Sequence, residues 1–173
     1  YGIFAQGMGM AMLPTLAGRF AVDDAAGYKS ILEKSLKTVM LLTIPSAFGF
    51  VVLRYPVIKT MLKFTNLVQE EGVVLTGNIL MFFSIALITQ SMVAIINRGF
   101  YAVNDTKTPL FTGTATILVN ILLSFLFYKY LEQTLSAGGM ALAYSIASLV
   151  NAALLAVLLN RKLKGGALRR EFA

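Results

Sequence analysis

Between two long apolar runs the chain carries "NRGFYAVNDTKTP", residues 97–109, a stretch dense in polar side chains. Asn97 and Arg98 close one apolar segment, Tyr101 follows a turn later, and Asn104, Asp105, Thr106, Lys107 and Thr108 lead into Pro109. These types in this order are either a site or a hinge. Arg98 lies near the end of a long helix, where its stem can snorkel toward phosphates, and Tyr101 suits the same interfacial level. "ND" provides a turn. "TP" reads as a helix start, with Thr108 as N-cap and Pro109 at the first helical position, and Asp105 can support the exposed N–H groups there. Local physics makes the stretch a helix-turn-helix corner first and a site second.

Other polar groups lie inside the apolar runs. Gln6 accompanies Gly7 and Gly9 in "QGMGMAM", a thin helix face that suits close packing or, in a sharper reading, flanks a cavity with Gln6 pointing into it. Asn97, Asn120 and Asn151 need partners inside lipid; interhelical hydrogen bonds would satisfy them, and contact with a substrate is the other reading. Pro14 and Pro45 each remove one backbone hydrogen bond and are candidate kinks.

Ionisable groups are absent from the centres of these runs. All eight acids, Asp23, Asp24, Glu33, Glu70, Glu71, Asp105, Glu132 and Glu171, sit in connections or near helix ends. An intramembrane protease or a proton relay would need one in the interior. With no Cys and no His, a thiol nucleophile, an imidazole base and a His-built metal site are excluded too. No catalytic residue, metal or cofactor is expected, and the chain does not read as an enzyme.

The elements that must position these residues follow from composition. Of 173 residues, 57% are hydrophobic and 13% charged, about half the charge of an ordinary soluble domain. The apolar blocks approach the ~20 residues that cross a bilayer, and they lack the strict alternation of barrel strands. The expected fold is an all-α membrane protein, a polytopic transmembrane helix bundle with about five spans near residues 1–16, 36–53, 73–101, 110–130 and 140–159. "AVDDAAGYKSILEKSLK" reads as an amphipathic lead-in to the second span, with Ile31, Leu32, Leu36 and Val39 on one face. "RYPVIKTMLKF" reads as a separate short helix lying in the interface, and residues 134–139, "TLSAGG", as a tight turn. The chain opens at Tyr1 inside an apolar run and is expected to be a piece of a longer polytopic protein, whose remaining helices would be its partners.

Basic residues set the orientation. Arg19, Lys29, Lys34, Lys37, Arg98, Lys107, Arg161, Lys162, Lys164, Arg169 and Arg170 fall on one set of alternate connections, and only Arg54, Lys59, Lys63 and Lys129 on the other. The positive-inside rule places the first set, and the C-terminal end, in the cytoplasm. The same asymmetry accounts for the net charge of +7 without nucleic acid as a partner.

Four pieces of the chain resemble one family. "GFYAVNDTKTP" is similar to the FYA-x-x-D-T-[KR]-T-P segment of the MviN/MurJ family of lipid II flippases. "GIFAQGMGMAMLPTL", "TIPSAFGFVVLRYPVIKTML" and "GGMALAYSIASLVNAALLAVLLNRKL" resemble further stretches of it in order and spacing. The connection "KFTNLVQEEG" departs from the basic-Gly-x-Phe element the family often has there. The resemblance implies about the eighth to twelfth of fourteen helices, in the C-terminal lobe of a two-lobe exporter of the multidrug/oligosaccharidyl-lipid/polysaccharide superfamily. It also implies alternating access around a cationic cavity in the bacterial inner membrane. The implied cargo, among membrane lipids, is the undecaprenyl-pyrophosphate-linked peptidoglycan precursor, moved from inner to outer leaflet. The family's best-known cavity arginines fall outside this chain, so Gln6, Asn97, Asn120 and Asn151 are the substrate-cavity candidates within it. A related exporter of another lipid-linked polysaccharide or of drugs or cations, or a non-transporting scaffold bundle, are the competing expectations.

Overall fold

A computed structural model describes residues 2–63, 70–135 and 138–164. The described residues form five helices: α1 (Gly2–Ala21), α2 (Ala25–Lys63), α3 (Glu70–Ala102), α4 (Lys107–Leu135) and α5 (Gly138–Lys164). Four of them, α2 to α5, are long and apolar enough to cross a membrane. The 20 residues of α1 would reach about 30 Å at 1.5 Å per residue, but Gln6, Pro14 and Arg19 dilute its apolar character.

One expectation for the second span is corrected. The amphipathic lead-in runs into the span as expected, but "RYPVIKTMLK" is not a separate helix: it is the end of the same 39-residue helix, about 58 Å long by the same rise. Pro45 and Pro56 both lie inside it, and Pro14 lies inside α1. The stretch after Arg54 does not lie apart in the interface because it packs along α3. Ile58 is buried, and Tyr55 crosses Gly77 so closely that a Cβ there would come within 2.8 Å of the ring. For the expected turn at 134–139, Thr134 and Leu135 close α4 and Gly138 and Gly139 open α5; Ser136 and Ala137 between them lie outside the described residues.

Helix α3 is the hub: α1, α2 and α5 all pack on it, α1 also packs on α2, and α4 packs mainly on α5. A core of Leu16, Tyr28, Val39, Ile95, Ile96, Phe100 and Leu155 joins the first three helices to the fifth. The α3–α5 seam is made of small residues. Ala141, Ser145, Ser148 and Ala152 recur at helical spacing on the buried face of α5, which lets the backbones approach. Ser145 Oγ donates to the Phe82 carbonyl at 2.7 Å, and Thr89 Oγ1 and Ser148 Oγ share a hydrogen bond of 2.8 Å. Both pairs advance together along the sequence, so α3 and α5 run parallel. Only 6% of the most apolar stretch of α4 is buried, against 44% for α5, so the sides of α4 are largely uncovered by the other four helices.

Two corners are built alike. At the end of α1, Asp23 takes a left-handed φ of 56°, while Asp24 N–H bonds the Arg19 carbonyl and Asp23 N–H that of Phe20. At the end of α3, Asn104 takes φ 57°, with Asp105 N–H on Phe100 and Asn104 N–H on Tyr101. This is the Schellman arrangement. The following aspartate then caps the next helix: Asp24 Oδ1 accepts from Gly27 N–H at 2.8 Å, and Asp105 Oδ1 from Thr108 N–H at 3.0 Å. The expected cap at Thr108 is therefore corrected. Asp105 supplies it, α4 begins at Lys107, and Pro109 is its third residue. The shift arises because Asn104 ends α3 so tightly that the next side chain already faces the free N–H groups.

Candidate functional site

Helix α3 presents Gln90, Asn97 and Tyr101 along one face, spaced by seven and four residues, with Arg98 flanking it. Across from it, α1 contributes Gln6. Together with Val93 and Ala94 they line an open cleft of about 230 Å³. Gly9 of α1 makes room for its one charged member: a Cβ at Gly9 would stand 3.0 Å from Arg98 Cγ. The Arg98 guanidinium lies 5.9 Å from the centre of the Tyr101 ring and forms no ion pair with any described residue. The Asn97 side-chain oxygen is buried without a hydrogen-bond partner.

A second cleft, of about 390 Å³, opens between α3, α4 and α5 and is lined by Gln90, Gly113, Thr116, Ile117, Asn120, Ile121, Tyr144 and Asn151. It carries no charge. Asn151 is buried and its side-chain oxygen lacks a partner. Gln90 belongs to both clefts, and its Nε2 donates to the Tyr144 hydroxyl at 2.8 Å.

The three asparagines are not the interhelical glue expected of them. Asn97 and Asn151 leave their oxygens unpaired, and Asn120 accepts from Ser124 of its own helix at 3.3 Å. Hydroxyls hold the helices instead: Thr89, Ser145, Ser148 and Tyr28, whose OH donates to the Gly99 carbonyl at 2.6 Å.

The opening stretch divides. Arg98 and Tyr101 face the first cleft, whereas Asp105 to Pro109 belong to the corner, with Thr106 and Lys107 exposed. Asp105 Oδ2 accepts from Thr108 Oγ1 at 2.7 Å and from Lys162 Nζ of α5 at 2.9 Å. Burial alone would push the Asp105 carboxyl up, but the Thr108 and Lys162 hydrogen bonds with the Lys162 charge outweigh it and hold it below the ordinary carboxylate range. Pro14 and Pro45 line neither cleft. Gln90 and Tyr144 were not legible as site residues beforehand, although Gln90 sits one heptad before Asn97. Among the described residues no group of His, Cys, Asp and Glu is placed to hold a metal ion.

Comparison with known proteins gives one family. A family model described as lipid II flippase MurJ matches residues 1–171. The probable lipid II flippase MurJ of Buchnera aphidicola subsp. Baizongia pistaciae is 29% identical over 150 residues, covering 87% of this chain and 28% of that protein. The lipid II flippase MurJ of Thermosipho africanus is 29% identical over 151 residues, covering 87% of this chain and 30% of the relative. A solved structure of a lipid II flippase MurJ, in an inward closed conformation, superposes with a TM-score of 0.75 at 28% identity, covering 92% of this chain and 32% of that one. The chain thus spans under a third of the length of these relatives.

Proposed function

The chain belongs to the lipid II flippase MurJ family, and on that premise we propose that it supplies five helices of the C-terminal lobe of a flippase for lipid II. It is part of a multi-pass membrane protein. In this reading the cargo is the undecaprenyl-pyrophosphate-linked peptidoglycan precursor, the membrane is the bacterial inner membrane, and the corners at Asp24 and Asp105 lie on the cytoplasmic side with the end of α5.

One observation carries the reading: two adjoining clefts are lined by the amide and phenol side chains of Gln6, Gln90, Asn97, Tyr101, Asn120, Tyr144 and Asn151 in a bundle that is otherwise closed by hydroxyls. A buried amide oxygen without a partner costs roughly 1–3 kcal/mol, so a bundle built only for stability would have leucine or alanine there. A transporter needs such groups for the polar head of a lipid-linked saccharide, while an apolar exterior like that of α4 leaves the polyprenyl tail in lipid. Gln6, Asn97, Asn120 and Asn151 are then cavity-side groups, with Gln90 and Tyr144 added. Alternating access would move the lobe as a body, and no bond of the cargo is broken, so no catalytic group is required.

The test is transport of fluorescent lipid II in proteoliposomes by the protein that carries this chain. Asn97→Leu with Asn151→Leu is expected to slow flipping at least tenfold while leaving thermal stability equal or higher. Unchanged flipping, or transport of a different lipid-linked saccharide or a drug in its place, would overturn the assignment.

A further inference from the structure

Helices α2 and α5 both pack on α3 but hardly on one another, and toward the corners they leave a groove of about 250 Å³ between them. Its floor is apolar and buried: Leu32 of α2, Ile96 of α3 and Leu159 of α5. Leu36 and Leu163 form half-buried walls, and Ala156, with only a methyl group, keeps one side low. Ile96 lies on a different face of α3 from Gln90, Asn97 and Tyr101, and the groove shares no residue with the first cleft.

Polar groups sit at the rim. Lys29 and Glu33, one turn apart on α2, and Asn160 on α5 are all exposed. The Lys29 ammonium lies 3.7 Å from the Glu33 carboxylate, beyond hydrogen-bond distance, so the two keep donors and acceptors for another group. The groove lies where apolar sequence gives way to charge. Leu32 and Leu159 meet at Gly99, Arg161, Lys162 and Lys164 follow on α5, and Lys29, Glu33, Lys34 and Lys37 precede the apolar run of α2. That is the depth of lipid headgroups.

We propose that this groove holds one molecule of phosphatidylethanolamine, with an acyl chain along Leu32, Ile96 and Leu159 and the head across Lys29 and Glu33. The phosphate meets Lys29. The primary ammonium, two carbons further along the head, donates to Glu33 and to the side-chain oxygen of Asn160. A purely anionic head would set like charge against Glu33, and the quaternary ammonium of phosphatidylcholine has no N–H to donate. Basic pockets between membrane helices are established places for phospholipid heads; the carboxylate at this rim selects a zwitterion. The site does not depend on what the protein transports, and only its assignment to the inner leaflet follows the cytoplasmic placing of the corners.

The test is native mass spectrometry of the whole protein in detergent, titrated separately with phosphatidylethanolamine, phosphatidylglycerol and phosphatidylcholine of the same acyl chains. Phosphatidylethanolamine is expected to bind tightest. Glu33→Gln, at an exposed position, should weaken it about fivefold, the scale of one exposed charged contact, while phosphatidylglycerol gains. Lys29→Gln should weaken both. Ala156→Phe, which fills the groove, should weaken all three lipids about tenfold with the charges intact. Equal affinity of wild type for the three lipids, tighter binding of phosphatidylglycerol, or a phosphatidylethanolamine affinity untouched by Glu33→Gln or by Ala156→Phe overturns the proposal. So does binding of no phospholipid together with a lower unfolding temperature for Ala156→Phe, which would show another helix of the whole protein seated in the groove. Flipping of lipid II by the same preparations separates the two readings. Flipping without the lipid preference sinks this proposal alone, and the preference without flipping sinks the flippase reading alone.

Discussion

Gly99 sits where two helices meet a third. A Cβ there would come within 3.1 Å of the Tyr28 hydroxyl, 3.2 Å of Leu32 and 3.3 Å of Leu159, so α2 and α5 can both close on α3 only because position 99 has no side chain. Gly99→Val should therefore lower stability by about 1–3 kcal/mol through overpacking, seen as a lower unfolding temperature in detergent. Tyr28→Phe removes the hydroxyl that donates to the Gly99 carbonyl but keeps the ring. A loss of about 1 kcal/mol is expected, and an unchanged melting point would show that water or another donor already serves that carbonyl.

At the level of elements the two corners share a turn and differ in what they fasten. "AVDD" at 21–24 and "AVND" at 102–105 each end one helix with a left-handed residue and cap the next with an aspartate. In the first, the cation is local and solvated: Arg19 and Asp24 side chains are 52% and 32% exposed. In the second, Lys162 comes from α5, and the pair is 17% and 11% exposed, so the corner is tied to a helix 57 residues away. Asp105→Asn keeps a cap acceptor but loses the ion pair, whereas Asp105→Ala loses both and should cost about 1 kcal/mol more. A double-mutant cycle with Lys162→Met should show a coupling of about 1 kcal/mol, and additive effects would refute the tie. The pH dependence follows from the depressed Asp105 acidity. Its stabilisation is present above the unfolded-state value of about 3.9 and is lost as pH falls through the lower folded value. Cross-linking between the corner and α5 should thus be unchanged from pH 8 to 5 and weaken only below about pH 4. Loosening near pH 6 would point to another group.

For the whole molecule the structure brings the α1–α2 corner, the α3–α4 corner and the end of α5 to one end of the bundle, through Tyr28 to Gly99 and Asp105 to Lys162. Arg54 and Tyr55 meet Met81 and Gly77 toward the other end. The chain contains no cysteine, so single-cysteine variants report sidedness directly within it. Cysteines at Asp23 and Asn104 should react with an impermeant reagent only from the cytoplasmic face, and one at Lys59 only from the opposite face. Labelling of Asp23 and Lys59 from the same face would overturn the topology and the orientation drawn from basic residues.

Much of this could be seen beforehand, for reasons that differ by residue. Helix type and order follow from lengths of apolar sequence, since partition into lipid adds up residue by residue along a segment, but α2 runs well past the apolar stretch 36–53 at both ends. The corner at 97–109 was legible because turn and cap preferences are local, though the capping residue was misassigned by three positions. The partners were not legible. That Asp105 meets Lys162, that Arg98 lies over Gly9 while Asp105 turns away, and that Asn97 and Asn151 stay unpaired depend on how each helix is rotated about its axis. Composition along the chain determined which segments enter the membrane and which ends carry positive charge. The tertiary structure alone decided which polar side chains share a cleft, because rotation and offset are set by small residues such as Gly99, Ser145 and Ser148 packing against partners far away in sequence.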